Sequence, residues 1–372
     1  MSTLRVSNLQ NEASANNQIT LGTDGFAQIN GVALPSAGPL SSRNLIVNGG
    51  MAVSQRGTTF TSVGNGNYTL DRWQFGFGTS STFDVAQSST APAGFASSLK
   101  VDCTTTSTPT TTQETFVRHR IEAQNLQQLQ YGTSGAQSIA LSFWVRSNKT
   151  GNYGIRFSQE DTSPVRQYAT TYTISSADTW EYKTVVITGD TSGTINNDNG
   201  EGLQIRFYLQ AGPDRAGTPA ETWNTDTDNR ATDLNFGDST DNEWLLSGVQ
   251  LEVGSVATPF EHRSYGDELA RCQRYYQKLI VQDHLIMCSR WSGDSGVART
   301  QMQLPVTMRS APTFDFTGTW DSSSGYGGDP VMNPAQPGIV SINTTVNTVS
   351  ANNNVILYSS TSNASFNFSA EF

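Results

Sequence analysis

The sequence predicts an all-β protein: an extended N-terminal segment, a central β-sandwich of the jelly-roll type, one short linking helix and a smaller C-terminal β-domain. Three observations predict it. Only 15% of the 372 residues are charged, while Gly, Ser, Thr and Asn abound, a composition that favours short strands joined by turns. Ser138–Arg146 (SIALSFWVR) and Leu203–Leu209 (LQIRFYL) alternate apolar and polar residues with the period of a half-buried strand. Polar turn clusters such as Gly189–Gly202 (GDTSGTINNDNGEG) separate these segments. The length suggests two or three domains and suffices for a sizeable core.

The elements follow in order. Residues 1–42 carry no Trp or Tyr and a single Phe, Phe26. Within them Ile19–Ile29 (ITLGTDGFAQI) places two apolar runs around a Thr-Asp-Gly turn, and Pro35–Ser42 (PSAGPLSS) reads as a linker. So short a segment cannot bury its own apolar face, so it is expected to fold against other copies or a larger particle; a disordered tail is the alternative. Residues 43–263 read as the sandwich. Ile139, Leu141, Phe143 and Val145 share one strand face, as do Leu203, Ile205, Phe207 and Leu209. Gly154–Phe157, Trp180–Ile187 and Trp244–Leu251 are further strands, and Arg120–Leu129 is a short helix or a turn-rich connection. Residues 264–279 read as the linking helix. Ser264 and Asp267 form a capping box, and Leu269, Cys272, Tyr276 and Leu279 fall on one face, placed to pack between domains or around a symmetry axis. Residues 280–372 form the second β-domain, with a loop at Asn333–Gly338 and strands at Val355–Tyr358 and Ser365–Ala370.

Composition narrows the function. A net charge of −10 opposes binding to a nucleic-acid backbone or an anionic membrane. No apolar run reaches the length of a membrane span. The first residues lack the apolar core of a signal peptide, so synthesis in a cytosol is expected. Cys103, Cys272 and Cys288 are odd in number and widely spaced, so reduced, buried thiols are expected rather than a disulfide or zinc framework.

Asn44–Gly57 (NLIVNGGMAVSQRG) followed by Tyr68–Trp73 (YTLDRW) resembles the opening of jelly rolls in tail fibres and other virion appendages of tailed bacteriophages. Ser142–Val145, Trp180–Ile187 and Leu203–Gly212 match the strand rhythm of carbohydrate-binding-module-like sandwiches. Gly248–Phe260 and Glu268–Lys278 resemble the close of such a sandwich and the segment after it in phage structural proteins. The resemblance covers roughly residues 44–310. It implies a homotrimer, docked on the virion through its N-terminal segment at a tail adaptor, collar or capsid, with distal β-domains facing a host-surface glycan. The expected role is a structural tail fibre made in the host cytoplasm. Alternatives are a capsid-decorating head fibre and, third, a polysaccharide depolymerase.

The candidate residues are these. If alternate residues face the core, Trp144, Arg146, Arg156, Arg206 and Tyr208 face outward, and an aromatic and arginine face would stack a sugar ring and bond its hydroxyls. A surface covered by a neighbouring subunit is the competing reading. The acidic stretch with Asp226, Asp228, Asp238 and Asp241 offers oxygens to a structural Ca2+, though its spacing fits no EF-hand; a solvated acidic loop is the alternative. No other cofactor is indicated. Gly293–Gly296 (GDSG) is a turn rather than a protease nucleophile, because neither His119 nor His262 has the context of a triad. No carboxylate pair or β-helix repeat marks a depolymerase, so no catalytic residue is assigned.

Overall fold

The computed structural model describes residues 8–10, 17–21, 27–29, 32–33, 41–217, 219–226, 234–280, 286–289, 296–322, 329–345, 354–359, 361 and 364–372. The architecture is all-β with antiparallel sheets, and the chain divides into two compact units, Met1–Arg263 and Ser264–Phe372.

In the first unit, the segment expected to be extended contains four short strands, β1 (Asn8–Gln10), β2 (Asn17–Leu21), β3 (Ala27–Ile29) and β4 (Val32–Ala33), paired in chain order. Ile19 lies opposite Ile29 in the β2–β3 pair; the Thr-Asp-Gly turn between them is outside the described residues.

Two sheets then form the sandwich. One contains β5 (Thr59–Phe60), β7 (Thr82–Ser88), β8 (Ser98–Thr105), β10 (Ile139–Ser147), β13 (Glu181–Ile187) and β15 (Glu243–Val253), in the order β13-β10-β15-β8-β7-β5. The other contains β6 (Gln74–Phe77), β9 (Glu114–Glu122), β11 (Gly151–Gln159), β12 (Arg166–Ile174) and β14 (Glu201–Ala211), in the order β12-β11-β14-β9-β6. Between β5 and β15, only β7–β8 and β11–β12 are hairpin neighbours; at every other step the chain crosses to the opposite sheet. The inward faces meet in one core, where Phe143 of β10 touches Phe207 of β14 edge-on at 5.2 Å. Arg120–Leu129 resolves into the end of β9 and a 3-10 helix, Ala123–Leu129.

The opening motif is architectural. Asn48 has a positive φ of 60°. Its Nδ2 donates to Val53 O at 2.8 Å and Asp71 O at 2.9 Å, and its Oδ1 accepts from Val53 N at 3.0 Å. Trp73 Nε1 donates to Asn48 O at 3.0 Å. Asp71 accepts from Gln55 N and Nε2, both at 2.6 Å. At Gly49 a Cβ would lie 2.1 Å from Val249 O, so only glycine fits between this turn and β15. The sandwich closes on its own ends: Glu261 accepts from the backbone N–H of Arg43 at 3.3 Å and Asn44 at 3.0 Å, and Leu45 N donates to Leu251 O at 2.8 Å.

The second unit opens with α1 (Tyr265–Gln273), capped as the sequence predicts: Ser264 Oγ accepts from Asp267 N at 3.2 Å. The helix is shorter than the 264–279 expected. Tyr276–Ile280 is strand β16, because its backbone pairs with β24 (Ser365–Ser369), Tyr276 opposite Ser369 and Leu279 opposite Phe366. Leu269 and Cys272 therefore sit on a helix, Tyr276 and Leu279 on a strand, and the four do not form one helical stripe. Cys272 and Tyr276 are buried within the chain, and Leu279 packs partly against this unit's core. β24 lies between β16 and β19 (Thr313–Thr317). A six-stranded sheet runs β20-β23-β17-β18-β22-β21, from β17 (Ile286–Ser289), β18 (Val297–Gln303), β20 (Trp320–Ser322), β21 (Val331–Gln336), β22 (Ile339–Thr345) and β23 (Asn354–Ser359). The loop expected at Asn333–Gly338 is thus mostly the end of β21, bulged between Asn333 and Gln336 where Pro334 interrupts the ladder. Trp320 stacks on Phe366 at 4.5 Å in the core. His284 and Gly293–Ser295 are outside the described residues.

Candidate functional site

The outer face of the five-stranded sheet carries four arginines, Arg118, Arg120, Arg156 and Arg206. In β9, Val117 and Ile121 lie in the core and His119 packs edge-on against Trp73 at 5.1 Å, so Phe116, Arg118 and Arg120 point out of the sandwich. His119 is wholly buried; burial and the charge of Arg72 hold its imidazole well below its usual range. In β14 the core takes Leu203, Ile205, Phe207 and Leu209, leaving Gln204, Arg206 and Tyr208 on the opposite face, where Gln204 and Tyr208 are also buried and Arg206 is partly exposed. In β11 it takes Tyr153, Ile155 and Phe157, leaving Arg156 and Ser158 on the opposite face, where both are also buried.

Register sorts these residues into rows across the sheet. The central row is Gln74, Arg118, Arg206, Arg156 and Ala169; Arg206 lies directly opposite both Arg118 and Arg156. The row on one side is Gly76, Phe116, Tyr208, Gly154 and Thr171. On the other side stand Arg120, Gln204, Ser158 and Gln167.

The aromatic row supports the arginine row. Arg206 Cζ lies 4.5 Å from the centre of the Phe116 ring, Arg118 Cζ 5.6 Å from the same ring, and Arg156 Cζ 5.7 Å from the Tyr208 ring. Phe116 and Tyr208 meet edge-on at 5.6 Å. Phe116 lies flat over its neighbour strand because residue 76 is glycine: a Cβ there would come within 2.5 Å of two ring carbons. Arg118 Nε donates to the neutral Gln74 Oε1, and Arg206 Nη1 reaches Glu114 at 3.3 Å. Arg120 pairs with Glu201 at 3.2 Å, and Gln204 Nε2 donates to Glu201 at 2.7 Å and Glu160 at 3.1 Å. Burial and the charges of Arg120 and Arg206 push Arg118 down to about 10. Burial, with Glu201 nearby, raises Glu160 above the ordinary carboxylate range. Three polar atoms on this face, Tyr208 OH, Ser158 Oγ and Gln167 Oε1, are buried with no hydrogen-bond partner. At the β6–β9 edge a cavity of about 410 Å³, lined by Asn65, Phe77, Thr112, Glu114, Phe116 and Arg118 among others, opens beside the row.

The five outward residues expected on one face are divided between two sheets. Arg156, Arg206 and Tyr208 belong to the site. Trp144 and Arg146 lie on β10, in the six-stranded sheet, because the chain crosses layers between β10 and β11. Trp144 packs on Tyr182 at 5.2 Å, beside Gly248, whose positive φ of 61° accompanies a bulge in the β10–β15 pairing. Arg146 is clasped by Glu243 at 2.5 Å and Asp178 at 2.9 Å. The sequence reading missed Phe116, Arg118 and Gln74; the F-V-R-H-R-I alternation of β9 was the available signal.

The acidic stretch is dispersed. Asp238 is engaged by Lys149 Nζ at 2.5 Å and Asn242 Nδ2 at 2.7 Å. Asp241 accepts from Asn148 through its backbone carbonyl at 2.9 Å. Asp226 N donates to Asn224 Oδ1 at 2.8 Å. Asp228 is outside the described residues. Among the described residues no three His, Cys, Asp or Glu side chains converge as metal ligands.

No family model matches the chain, and no curated protein matches it. Solved structures resemble it. A putative sugar binding protein from Bacteroides thetaiotaomicron is 14% identical with a TM-score of 0.32, over 57% of this chain and all of that one. A family 11 carbohydrate-binding module from Clostridium thermocellum is 11% identical with a TM-score of 0.29, over 52% of this chain and 92% of that one. The enzymatically active domain of tailspike protein 4 of bacteriophage CBA120 is 12% identical with a TM-score of 0.28, over 52% of this chain and 21% of that one.

Proposed function

We propose that this protein is a non-catalytic glycan-binding protein of a tailed-phage virion appendage, and that its sandwich binds host-surface glycan across the outer face of the five-stranded sheet. One observation carries the binding reading: at the β6–β9 edge the partly exposed Arg118 and the polar side chains of Asn65, Thr112 and Gln113 line one cavity, beside the partly exposed Arg206. Sugar hydroxyls donate and accept, so a glycan matches such a polar lining. The virion reading rests on the motifs at Asn44–Gly57, Tyr68–Trp73 and Gly248–Phe260. As a trimer, each weak site would gain from the effective concentration set by the first contact.

The test uses the intact chain on a glycan array, with calorimetry on the best ligand and the variant Arg118→Gln. Removing one guanidinium from the cavity wall is expected to weaken binding about tenfold or more. A chain that retains no glycan, or an Arg118→Gln variant that binds as wild type, refutes the site. Light scattering tests the trimer, which requires three times the 40.2 kDa chain mass.

A further inference from the structure

We propose a second glycan site on the outer face of the six-stranded sheet: a row of aromatic rings, Tyr182, Trp144, Phe95 and Phe260, that stacks the rings of a neutral oligosaccharide. It goes beyond the cavity reading above, occupies the opposite sheet and uses none of the cavity's residues.

The strands place the rings. In β10 the core takes Ile139, Leu141, Phe143 and Val145, and in β13 it takes Ile187 with Val185 packed beside it, so Trp144 and Tyr182 point out of the sandwich. They lie directly opposite each other, with ring centres 5.2 Å apart. On the other side of β10, Trp144 lies opposite Ser247, next to the bulge at Gly248. A Cβ on Gly248 would come within 2.6 Å of Phe95 Cζ and 3.1 Å of Trp144 Cδ1, so both rings lie against this one residue. Phe95 in turn meets Phe260 edge-on at 4.9 Å. The row runs across the strands from the β13 edge to β15, two strand spacings or about 10 Å. That length exceeds a single pyranose ring and suits a chain of them. Tyr182 is 44% exposed, and Trp144, Phe95 and Phe260 are partly exposed.

The surroundings set the chemistry of the ligand. On one side of the row stand Arg146, Leu245 and Lys100, opposite one another in register. Their charges are matched on the spot: Arg146 pairs with Glu243 at 2.5 Å and Asp178 at 2.9 Å, and Lys100 with Glu243 and Asp102, both at 2.9 Å. On the other side stand the neutral Thr184, Ser142 and Gln250, of which Thr184 is exposed. Beyond them Glu252 is buried and accepts from Thr258 N at 2.7 Å and Gln250 Nε2 at 2.9 Å. A face with its charges matched internally offers a charged ligand no counter-charge. Apolar rings bordered by neutral polar groups match a sugar ring, which has C–H faces and a rim of hydroxyls. A protein partner needs about 800 Å² on each side with several buried anchors. Here, among the described residues, the exposed large apolar side chains of the sheet are only Tyr182 and Val186, and the rings form a narrow strip between a charged and a neutral polar row.

The experiment titrates the intact protein with neutral gluco-, galacto- and manno-oligosaccharides of increasing length, in the Arg118→Gln background so that the cavity contributes least. Affinity is expected to rise with chain length, to level off once the row is spanned, and to stay unchanged when salt is raised from about 0.05 to 0.5 M. Tyr182→Ala and Phe95→Ala should each weaken binding about tenfold, whereas Tyr182→Phe, which keeps the ring, should bind within about twofold of its parent. The proposal is overturned if no neutral oligomer binds, if a monosaccharide binds as tightly as its oligomers, if salt abolishes binding, or if the two ring-deleting variants bind as their parent does. It is also overturned if those variants leave glycan affinity intact but lower the assembly mass in light scattering, which would make the strip a contact between copies of this chain. The two sites fail separately: with the other arginines and rings intact, loss of binding confined to Arg118→Gln leaves only the cavity, and loss confined to Tyr182→Ala and Phe95→Ala leaves only the row.

Discussion

Gly76→Ala tests how the arginine row is held. A Cβ at position 76 would lie 2.5 Å from two carbons of the Phe116 ring, whereas carbon–carbon contacts are optimal at about 3.5–4.0 Å. The ring must therefore move by about 1 Å or more. It is confined by Tyr208 at 5.6 Å and Arg206 at 4.5 Å, so it moves against the groups it supports. Overpacking of this kind costs about 1–3 kcal/mol, offset in part by about 0.4–1 kcal/mol from stiffening the unfolded chain at a former glycine. The net cost of about 1–2 kcal/mol corresponds to about 2–8 °C in melting temperature. Ligand affinity should fall further, about ten- to hundredfold, because displaced guanidinium groups lose charge-assisted bonds worth about 1.5–3 kcal/mol each. Calorimetric titration with the best glycan and a thermal melt read the two effects. Gly78→Ala is the control, since a Cβ there meets nothing within 4 Å. In the double variant with Phe116→Leu, the added methyl should cost little beyond Phe116→Leu alone. Wild-type affinity and stability for Gly76→Ala would refute the idea that the Phe116 ring positions the row.

Two further outcomes test the frame around the site. Asn48→Ala leaves Val53 N–H, Val53 O and Asp71 O without their side-chain partner and puts Ala at a positive φ; urea unfolding should show a loss of about 3–5 kcal/mol, and a loss under 1 kcal/mol would contradict the role of this turn. Burial opposes ionisation of Asp190, yet the Arg166 guanidinium at 2.6 Å, the Ser192 N–H and Gln159 hold its carboxyl below the usual carboxylate range. A depressed pKa contributes stability above the unfolded value of about 3.9 that is lost as pH falls through the folded value. Stability measured from pH 5 downward should therefore fall less steeply in Asp190→Asn than in the wild type, and parallel curves would count against the clasp.

Alternation exposed the strands but not their sheets. Ser138–Arg146 and Leu203–Leu209 lie in β10 and β14 with the inward faces expected, because a period of two reports only inside and outside. Whether two strands share a layer depends on connections, and the chain changes layer at most steps between β5 and β15. Alternation alone therefore places Trp144 and Arg146 on one face with Arg206. The site strand β9 was hidden for another reason: His119 faces the core, so polar residues occupy both of its faces. At the helix, local chemistry fixed the start and distant chemistry the end. Ser264 caps it as any such serine would, but Tyr276–Ile280 is drawn into a sheet by residues 365–369, a partner that no local pattern announces.

The closure of the sandwich at its own ends has a mechanical meaning. Residues 43–45 leave the module beside residues 249–261, joined through Glu261 and the Leu45–Leu251 bond. Tension drawn along the backbone enters and leaves at this one pole, so the clasp bears the load first, while the strands under the arginine row are pulled only after it opens. The sheet that carries the proposed binding face would thus stay folded while the clasp yields.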